Sequence, residues 1–336
     1  MPAPPPAPVR GTDVAHAARV LREGGLVAFP TETVYGLGAD AASDPAVAAI
    51  FAAKGRPRAH PLIVHLAPEA AAGEALDEWA IEIPDVARAL AAAAWPGPLT
   101  LILRKSARVA AAATGGFDTV GLRVPAHPVA LALLRAFGGG IAAPSANRFG
   151  AVSPTTADHV AHDLGSDVTY LLDGGACEVG VESTIVDLSS GRAVLLRPGG
   201  MPRGAIEKLT GPLAIADDTA PAAPGTLPSH YAPRARVLAV DPTAVLATLR
   251  AEQALAPTAR IAILAPSSAF AEWPAPPAGV VAHRLPDDVA GMAHDLYAAL
   301  RALDDAGVDV VVAALPPDAG LGEAVGDRLR RAAGPR

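Results

Sequence analysis

The chain has 336 residues, which is long enough for two domains of ordinary size. Hydrophobic residues make up 51 % of it, aromatic residues only 4 %, and its formal net charge is −7. This composition excludes an intrinsically disordered chain. The acidic balance argues against a protein that coats itself in nucleic acid through its bulk charge.

The sequence lacks the features of a membrane or exported protein. Its longest apolar candidate, residues 89–103, is broken by two prolines and a glycine, so no segment is expected to span a bilayer. The proline-rich start lacks the basic and apolar parts of a signal peptide. The single cysteine, Cys177, excludes an internal disulfide and fits a reducing compartment. We therefore expect a cytoplasmic location and no membrane partner.

Strands and helices alternate through the first 211 residues. Residues 1–11 are expected to form a disordered tail. Thr12 is expected to cap a helix that ends at Gly24-Gly25, followed by a buried strand at 26–29, a loop at 30–40 and a helix from Asp44 to about Ala53. Further elements are predicted as strands near 62–66, 99–104, 119–124, 140–143, 168–172, 183–188 and 193–197, and as helices near 85–94, 127–137, 155–164 and 202–209. The pattern predicts an α/β domain over 12–211 with a twisted mixed sheet and flanking helices, because several strands are joined by connections too short for crossovers.

The remainder divides into a linker and a second domain. Residues 212–235 contain Asp217, Asp218 and clustered alanines and prolines, which predicts a linker. The linker ends in Ser229-His230-Tyr231-Ala232-Pro233, an unusual place for an imidazole and an aromatic ring if the segment were only a spacer. Residues 236–336 alternate again, with strands predicted at 237–241, 260–265, 279–282 and 308–313 and helices at 243–254, 288–306 and 322–333. This pattern predicts a smaller, Rossmann-like α/β domain.

A basic turn is the strongest local signal. Lys54-Gly55-Arg56-Pro57-Arg58-Ala59-His60-Pro61 holds three cations within five residues between a glycine and two prolines. Only three of the 27 basic residues are lysines, so Lys54 is a rare choice. A stiff cationic turn predicts a receptor for a polyanion such as a triphosphate, with a solvated basic loop as the alternative.

Polar loops follow two of the predicted strands, at the end where open α/β sheets place ligand sites. They are Thr31-Glu-Thr33-Val-Tyr35-Gly-Leu-Gly38 and Pro144-Ser145-Ala-Asn147. Tyr35 is expected to contact a ligand because aromatic residues are scarce and this one lies in a loop. Arg123 and Arg197 each interrupt an apolar strand and need an anion, either a structural carboxylate or a substrate. Glu182 is expected to hold either Mg²⁺ or an arginine.

Familiar catalytic motifs are missing from the sequence. It contains no G-x-x-x-x-G-K-[ST] phosphate loop, no H-E-x-x-H, no paired cysteines and no G-x-S-x-G elbow. Ser145 has no evident His/Asp partners, so donor or acceptor contact with a ligand is favoured over nucleophilic attack.

Taken in order, the segments resemble the YrdC-like family of threonylcarbamoyl-AMP synthases, in its long form with an additional C-terminal domain. The matching segments are Pro30-Thr-Glu-Thr-Val-Tyr-Gly-Leu, Lys54-Gly-Arg-Pro, Pro61-Leu-Ile-Val-His65, Trp95-Pro-Gly-Pro-Leu-Thr100, Gly121-Leu-Arg-Val-Pro125, Pro144-Ser-Ala-Asn147, Ser153-Pro-Thr155, Glu182-Ser-Thr184, Leu196-Arg-Pro-Gly199, His230-Tyr-Ala-Pro233 and Gly320-Leu-Gly with Asp327-Arg-Leu. Each motif is weak alone, but so many in one order are highly specific.

The resemblance implies a YrdC-like fold with a ligand groove and an ATP-dependent nucleotidyltransferase. Such an enzyme joins L-threonine, bicarbonate or CO₂, and ATP into threonylcarbamoyl-AMP and pyrophosphate. It implies Mg²⁺ with the ATP and no tightly bound organic cofactor. The product would pass to the tRNA threonylcarbamoyl transferase machinery, and direct contact with tRNA or other RNA stays open.

The resemblance also implies roles for particular residues. The threonine site would be formed by Thr33, His65, Arg123, Ser145 and Ser183, with Arg123 against the carboxylate. The ATP site would be formed by Lys54, Arg56, His60, Thr119, Asn147, Thr155, Arg197 and Tyr231, with Lys54 and Arg56 as the catalytic pair. His60 stands where many relatives have asparagine. Tyr231 would cover the groove as a lid, with His230 beside it, because the carbamate and the mixed anhydride are labile in water.

Two other functions are compatible with parts of the pattern. A related carbamoyl-adenylating enzyme with another acceptor would use the same chemistry, although a single cysteine counts against the zinc-finger units of the hydrogenase-maturation carbamoyltransferases. A binding module for structured or double-stranded RNA would use the groove, although the acidic charge disfavours it.

Overall fold

The computed structural model describes residues 8–72, 74–217, 220–273, 277 and 279–335, which belong to two compact units. The first unit extends to Phe149 and also contains Ser153–Glu178 and Glu182–Thr226. The second contains Gly150–Val152, Val179–Val181 and the chain from Leu227 onward. The division at Thr226 falls inside the segment predicted as a linker. Asp218 of that segment and residues 1–7 of the predicted tail lie outside the described residues.

The first unit is built on a mixed sheet. Its strands are β1 (Arg10–Gly11), β2 (Val27–Phe29), β3 (Gly36–Asp40), β4 (Ile63–His65), β5 (Ala80–Ile81), β6 (Leu99–Lys105), β7 (Thr119–Arg123), β8 (Ile141–Ala142), β9 (Tyr170–Leu172), β10 (Thr184–Asp187), β11 (Val194–Arg197) and β12 (Ala214–Ile215). Among the described residues the order is β1-β9-β2-β3-β8-β4-β7-β6-β10-β11-β12, and β5 pairs with β6. The predicted mixed sheet is confirmed, with β4 parallel to β7 and β6 antiparallel to it.

Helices flank this sheet. They are α1 (Val14–Arg22), α2 (Asp44–Lys54), α3 (Glu74–Asp77), α4 (Asp85–Ala94), α5 (Pro128–Phe137), α6 (Ala157–Leu164) and α7 (Arg203–Thr210). The N-cap of α1 is Asp13, whose carboxylate accepts from the His16 backbone N–H, so the expected cap at Thr12 is wrong by one residue. Helix α2 ends at Gly55, whose φ of 62° is a left-handed conformation that favours glycine. The basic turn therefore starts from a fixed helix end.

Two expectations for the N-terminal region are corrected. Arg10–Gly11 is a strand paired with β9, and Arg10 forms ion pairs with Asp173 and Asp158, so this part of the predicted tail is ordered. The predicted loop at 30–40 ends in strand β3, which pairs with β2. Its glycines serve close packing, since a Cβ at Gly38 would lie 2.8 Å from the Phe29 ring.

The two faces of the central sheet differ. Residues opposite one another in register point to the same face, and successive residues alternate. One face, which includes Val64, Leu101 and Leu122, belongs to the largest hydrophobic cluster. The opposite face carries a smaller aliphatic cluster that includes Ile63 and Ile102. Of the predicted site residues, His65, Thr119 and Arg123 lie on the second face.

The second unit has a parallel sheet of its own. Its strands are β13 (Arg236–Val240), β14 (Ile261–Pro266), β15 (Val281–Leu285) and β16 (Val310–Ala314), in the order β13-β16-β14-β15. Its helices are α8 (Val245–Leu255), α9 (Ala269–Glu272), α10 (Val289–Asp305) and α11 (Leu321–Ala332). This confirms a smaller α/β domain. No helix of the described residues in either unit is long and apolar enough to cross a membrane.

Candidate active site

The face that carries the predicted site is set by strand register. His65 on β4 lies opposite Arg123 on β7, and Ile63 lies opposite Gly121. On the other side of β7, Arg104 lies opposite Thr119. Thr119 and Arg123 are four residues apart on one strand and therefore share a face, about 13 Å from each other at the usual rise of a strand.

Arg123 is the centre of one polar cluster. Its side chain is 4 % exposed, and its Nη1 donates to Thr33 Oγ1 at 3.0 Å. Its Nη2 donates to Glu32 Oε1 at 2.6 Å, and its Nε donates to the Gly97 carbonyl at 3.2 Å. The anion that the sequence required for this arginine is thus the structural carboxylate of Glu32. These bonds occupy three of the five N–H donors of a guanidinium, so one donor on each terminal nitrogen is available to a ligand.

His65 lies beside this arginine as a neutral imidazole. Burial, followed by the positive charge of Arg123, lowers the pKa of His65 to about 3. Its ring packs edge-on against Phe29 with 6.0 Å between ring centroids. Its Nδ1 is buried and has no hydrogen-bond partner among the described residues. An unsatisfied buried nitrogen is costly, and a ligand hydroxyl would satisfy it.

Ser183 and Arg197 form a second cluster. The Ser183 hydroxyl lies 2.8 Å from Thr100 Oγ1, and Arg197 Nη2 donates to the Ser183 carbonyl at 2.8 Å and approaches its hydroxyl at 3.2 Å. Arg197 Nη1 donates to the Pro224 carbonyl at 2.9 Å. Ala223 packs with the aliphatic cluster of the same sheet face. Residues 223–224, predicted as linker, therefore contact the site face within the first unit.

The basic turn does not present three cations on one surface. Lys54 is 3 % exposed, and its ammonium donates to the Ser145 carbonyl at 2.6 Å and to the Asn147 carbonyl. Burial, then the charge of Arg56, lowers the pKa of Lys54 well below its usual value. Arg56 is also buried, whereas Arg58 is exposed. The carbonyl contacts of Lys54 connect the turn to the Ser145–Asn147 loop, and the polyanion receptor stays a prediction.

Arg56 and His60 surround an aromatic ring that the sequence analysis did not single out. Arg56 Nη2 donates to the Pro61 carbonyl at 3.1 Å, and its guanidinium lies 5.6 Å from the centre of the Phe149 ring. The His60 ring centroid is 5.5 Å from that of Phe149. The Phe149 backbone N–H donates to the Lys54 carbonyl at 3.0 Å, which ties the ring to the end of α2.

Ser145, Asn147 and Thr155 of the predicted site each form a hydrogen-bonding contact that involves the main chain. Ser145 forms a bridge with Gly36 of β3, and the Asn147 side chain donates to the Arg148 carbonyl at 2.7 Å. The Thr155 backbone N–H donates to His159 Nδ1 at 3.2 Å.

Tyr231 and His230 belong to the second unit. The Tyr231 ring stacks on Tyr297 with centroids 5.8 Å apart, and the Arg328 guanidinium lies 5.0 Å from its centre. His230 packs edge-on against Tyr231 at 4.2 Å. Tyr231 has a φ of 59°, a left-handed conformation that is strained for an aromatic residue. Such strain is common at functional positions, and the lid role of Tyr231 stays a prediction.

Several roles were missed or misjudged from the sequence. Tyr35, expected to contact a ligand, is fully buried in the main hydrophobic cluster, and its hydroxyl donates to the Gly175 carbonyl at 2.7 Å. Glu32 was not singled out, although a glutamate between two threonines after a buried strand was the available signal. Glu182 accepts from the Ser153 hydroxyl at 2.6 Å. Within the described residues, no three His, Cys, Asp or Glu side chains form a group that could hold a metal ion.

Buried arginines, threonines and serines thus lie together on a mixed sheet of an α/β protein. Family models match the chain in two consecutive parts: Sua5/YciO/YrdC, described as Telomere recombination, over residues 19–199, and Threonylcarbamoyl-AMP synthase, C-terminal domain, over 200–334. The chain belongs to the Sua5/YciO/YrdC family and carries the C-terminal domain of its long form. The predicted family is therefore confirmed.

Relatives match the chain over nearly its whole length. The chain is 45 % identical over 331 residues to the threonylcarbamoyl-AMP synthase of Pyrococcus abyssi, covering 95 % of this chain and 94 % of that one. It is 40 % identical over 329 residues to that of Bacillus subtilis, covering 96 % and 93 %. The crystal structure of P. abyssi Sua5 complexed with L-threonine is 42 % identical, with a TM-score of 0.86 and 97 % of each chain covered. The predicted fold class is confirmed by this match.

Proposed function

We propose that this chain is an ATP-dependent L-threonylcarbamoyladenylate synthase that serves threonylcarbamoyladenosine formation in tRNA. The observation that carries the proposal is Arg123, a buried arginine that keeps two N–H donors for a ligand beside Thr33. Relatives that share the synthase name over nearly the full chain favour this activity over an RNA-binding module or another acceptor.

The reaction needs positioning and charge stabilisation rather than a protein nucleophile. The threonine amine attacks CO₂, forming an N–C bond and losing a proton to solvent to give a carbamate; with bicarbonate as the source, the amine proton leaves together with the bicarbonate hydroxyl as water. A carbamate oxygen then attacks the α-phosphorus of ATP, the bond to the β-phosphate oxygen breaks, and pyrophosphate leaves. Catalysis by binding the reactants side by side explains why no triad or phosphate loop is needed.

The threonine site lies at the Arg123 end of β7. Arg123 binds the carboxylate through its two available donors, and His65, which is neutral, offers its buried Nδ1 to the hydroxyl. Thr33, Ser145 and Ser183 complete this end. Thr119, about 13 Å away on the same strand face, marks the nucleotide end. The separation suits a product that has an amino-acid carboxylate at one end and an adenosine at the other.

The ATP site is proposed from Arg56, His60, Thr119, Asn147, Thr155 and Arg197, with Lys54 holding its loops. Arg56 and Arg197 donate to main-chain carbonyls, which orients their guanidinium groups. Tyr231 acts as the lid residue and His230 supports it; the strained φ of Tyr231 supports this role.

The chemistry also implies Mg²⁺. The described residues lack a cluster of three or more suitable side chains, and Mg²⁺ commonly binds through substrate phosphates, waters and one or two carboxylates. The residues present therefore fit an ion that arrives with ATP, and we propose the buried carboxylate of Glu182 as one of its ligands. When bound, the ion would neutralise phosphate charge. We place the enzyme in the cytoplasm, with the tRNA threonylcarbamoyl transferase machinery as the consumer of its product.

The test is product identification by mass spectrometry. The purified chain with ATP, Mg²⁺, L-threonine and bicarbonate should give threonylcarbamoyl-AMP and pyrophosphate, and omission of threonine or bicarbonate should abolish both. Arg123→Ala should raise the threonine KM at least about 30-fold, because hydrogen bonds to a charged group contribute about 2 kcal/mol. Arg135→Ala, which removes an exposed arginine paired with Glu69, is the matched control. Pyrophosphate release that continues without threonine would reject the proposal.

A further inference from the structure

The Glu32–Arg123 pair is a buried ion pair whose position suggests more than stability. Both side chains are at most 6 % exposed, with 2.6 Å between Glu32 Oε1 and Arg123 Nη2. Removing two charges from water costs free energy that their attraction scarcely recovers, so buried ion pairs are poor stabilisers. A buried ion pair beside a ligand site is better explained by its effect on the orientation and charge of the arginine.

The guanidinium is held from three directions. Its Nε donates to the Gly97 carbonyl before β6, its Nη1 to Thr33 after β2, and its Nη2 to Glu32. Glu32 is itself fixed, because its Oε2 accepts the Ala126 backbone N–H at 2.9 Å, just beyond the end of β7. With these contacts made, the guanidinium plane cannot rotate, and the two remaining N–H bonds point in fixed directions.

We propose that Glu32 is a positioning residue for Arg123 that also keeps ATP phosphates out of the threonine site. The inference rests on the proposed function, in which Arg123 binds the threonine carboxylate. Glu32 does not touch the substrate in this scheme. Its carboxylate aims the two free N–H donors of Arg123 and cancels the charge of the guanidinium.

Charge cancellation matters because the enzyme must bind two anions of different size in one groove. An arginine with its full charge attracts a triphosphate more strongly than it attracts a single carboxylate. Paired with Glu32, Arg123 attracts mainly through directed hydrogen bonds, which a planar carboxylate fits in bidentate geometry. The pair therefore selects a carboxylate at this end of the strand.

Glu32→Gln is the sharpest perturbation. Glutamine has nearly the same shape, but it has one acceptor oxygen where two donors, Arg123 Nη2 and the Ala126 N–H, must be satisfied. The amide NH₂ then faces either Arg123 Nη2 or the Ala126 N–H, both of which are donors. Arg123 therefore loses its hydrogen bond to residue 32, or residue 32 loses the bond to Ala126 that holds it in place. We expect the threonine KM to rise about tenfold or more and the ATP KM to change less than about twofold.

Two further readouts separate positioning from simple structural support. ATP above its KM should become competitive with threonine in Glu32→Gln, which a loss of stability alone would not produce. In an Arg123→Gln background, adding Glu32→Gln should no longer weaken threonine binding, because the positioning effect of Glu32 acts through Arg123. Glu32→Asp, which keeps the charge, should retain insensitivity to ATP while weakening threonine binding. Glu69→Gln, at an exposed pair, is the control.

The outcomes distinguish this inference from the proposed function. An unchanged threonine KM and no ATP competition in Glu32→Gln, with normal product formation by the wild type, would overturn the role of Glu32 alone. A lower melting temperature together with similar fold losses in threonine and ATP affinity would mean that Glu32 only supports the fold, and this would also overturn the inference. Failure of the wild type to make the adenylate would instead reject the proposed function.

Discussion

His65 should make the first unit sensitive to mild acid. Its pKa is lowered from 6.5 to about 3, first by burial and then by the charge of Arg123. Between these values the unfolded chain binds a proton that the folded chain does not. Folding stability therefore rises with pH across this window and is lost as pH falls below 6.5.

The size of the loss follows from this shift. One pH unit inside the window changes the free energy of unfolding by about 1.4 kcal/mol, so a fall from pH 7 to pH 5 should remove about 2 kcal/mol. That is a substantial fraction of the stability of an ordinary domain. His65→Gln should remove this contribution, so its own loss over the same interval should be smaller by about 2 kcal/mol.

The assay is urea unfolding at pH 7 and pH 5, followed by tryptophan fluorescence. Trp273→Phe in every protein removes the only tryptophan outside the first unit, leaving Trp79 and Trp95 as reporters. His162→Gln, at an exposed histidine, is the matched control and should lose as much stability as the wild type. An equal loss in His65→Gln and the wild type would refute the argument, as would an imidazole NMR signal of His65 that titrates near pH 6.5.

Three further predictions concern other buried groups. Lys54→Met should raise the KM values of both substrates, because it releases the carbonyls of Ser145 and Asn147; an effect on ATP alone would mean that the ammonium contacts phosphate. Tyr231→Ala should lower the stability of the second unit by about 3–5 kcal/mol, read from Trp273 fluorescence in a Trp79→Phe/Trp95→Phe background, whereas Tyr231→Phe should keep that stability. Adenylate formation by Tyr231→Phe at the wild-type rate would show that the lid role needs the aromatic ring and not the hydroxyl. Cys177, whose thiol pKa is raised to about 12 by burial, should react with a thiol reagent at pH 8 only after unfolding; rapid labelling of the native protein would contradict this.

The sequence predicted the alternation of strands and helices well, but it predicted poorly those elements whose residues look like turn residues. Apolar runs such as β6 and β16 are readable because a buried strand needs continuous hydrophobic residues. The sequence predicts a loop where strand β3 forms because Gly36 and Gly38 look like turn residues, whereas Gly38 makes room for the Ile141 and Phe29 side chains. The packing depends on which strand lies next to β3. Strand order is set by contacts between distant parts of the chain, so the local residue pattern does not reveal it.

The same limit applies to the site. Arg123 and Arg197 stood out because an arginine in an apolar strand needs an anion, but the sequence could not say which one. The carboxylate of Glu32 lies 91 positions earlier in the chain and meets Arg123 only through the pairing of the sheet. Tyr35 shows the opposite error, since a loop position suggested ligand contact and the fold buries the ring. Residue type indicated chemistry, and the topology decided its partners.

The buried arginines of the proposed site have different partners. Arg197 donates to the Ser183 and Pro224 carbonyls and Arg56 to the Pro61 carbonyl, and these bonds orient both guanidinium groups. Arg123 instead faces the carboxylate of Glu32. A polyphosphate is attracted by net charge, whereas a single carboxylate is recognised by two well-aimed N–H donors. A carboxylate-paired arginine at the threonine end would therefore favour the threonine carboxylate over the ATP phosphates at that position.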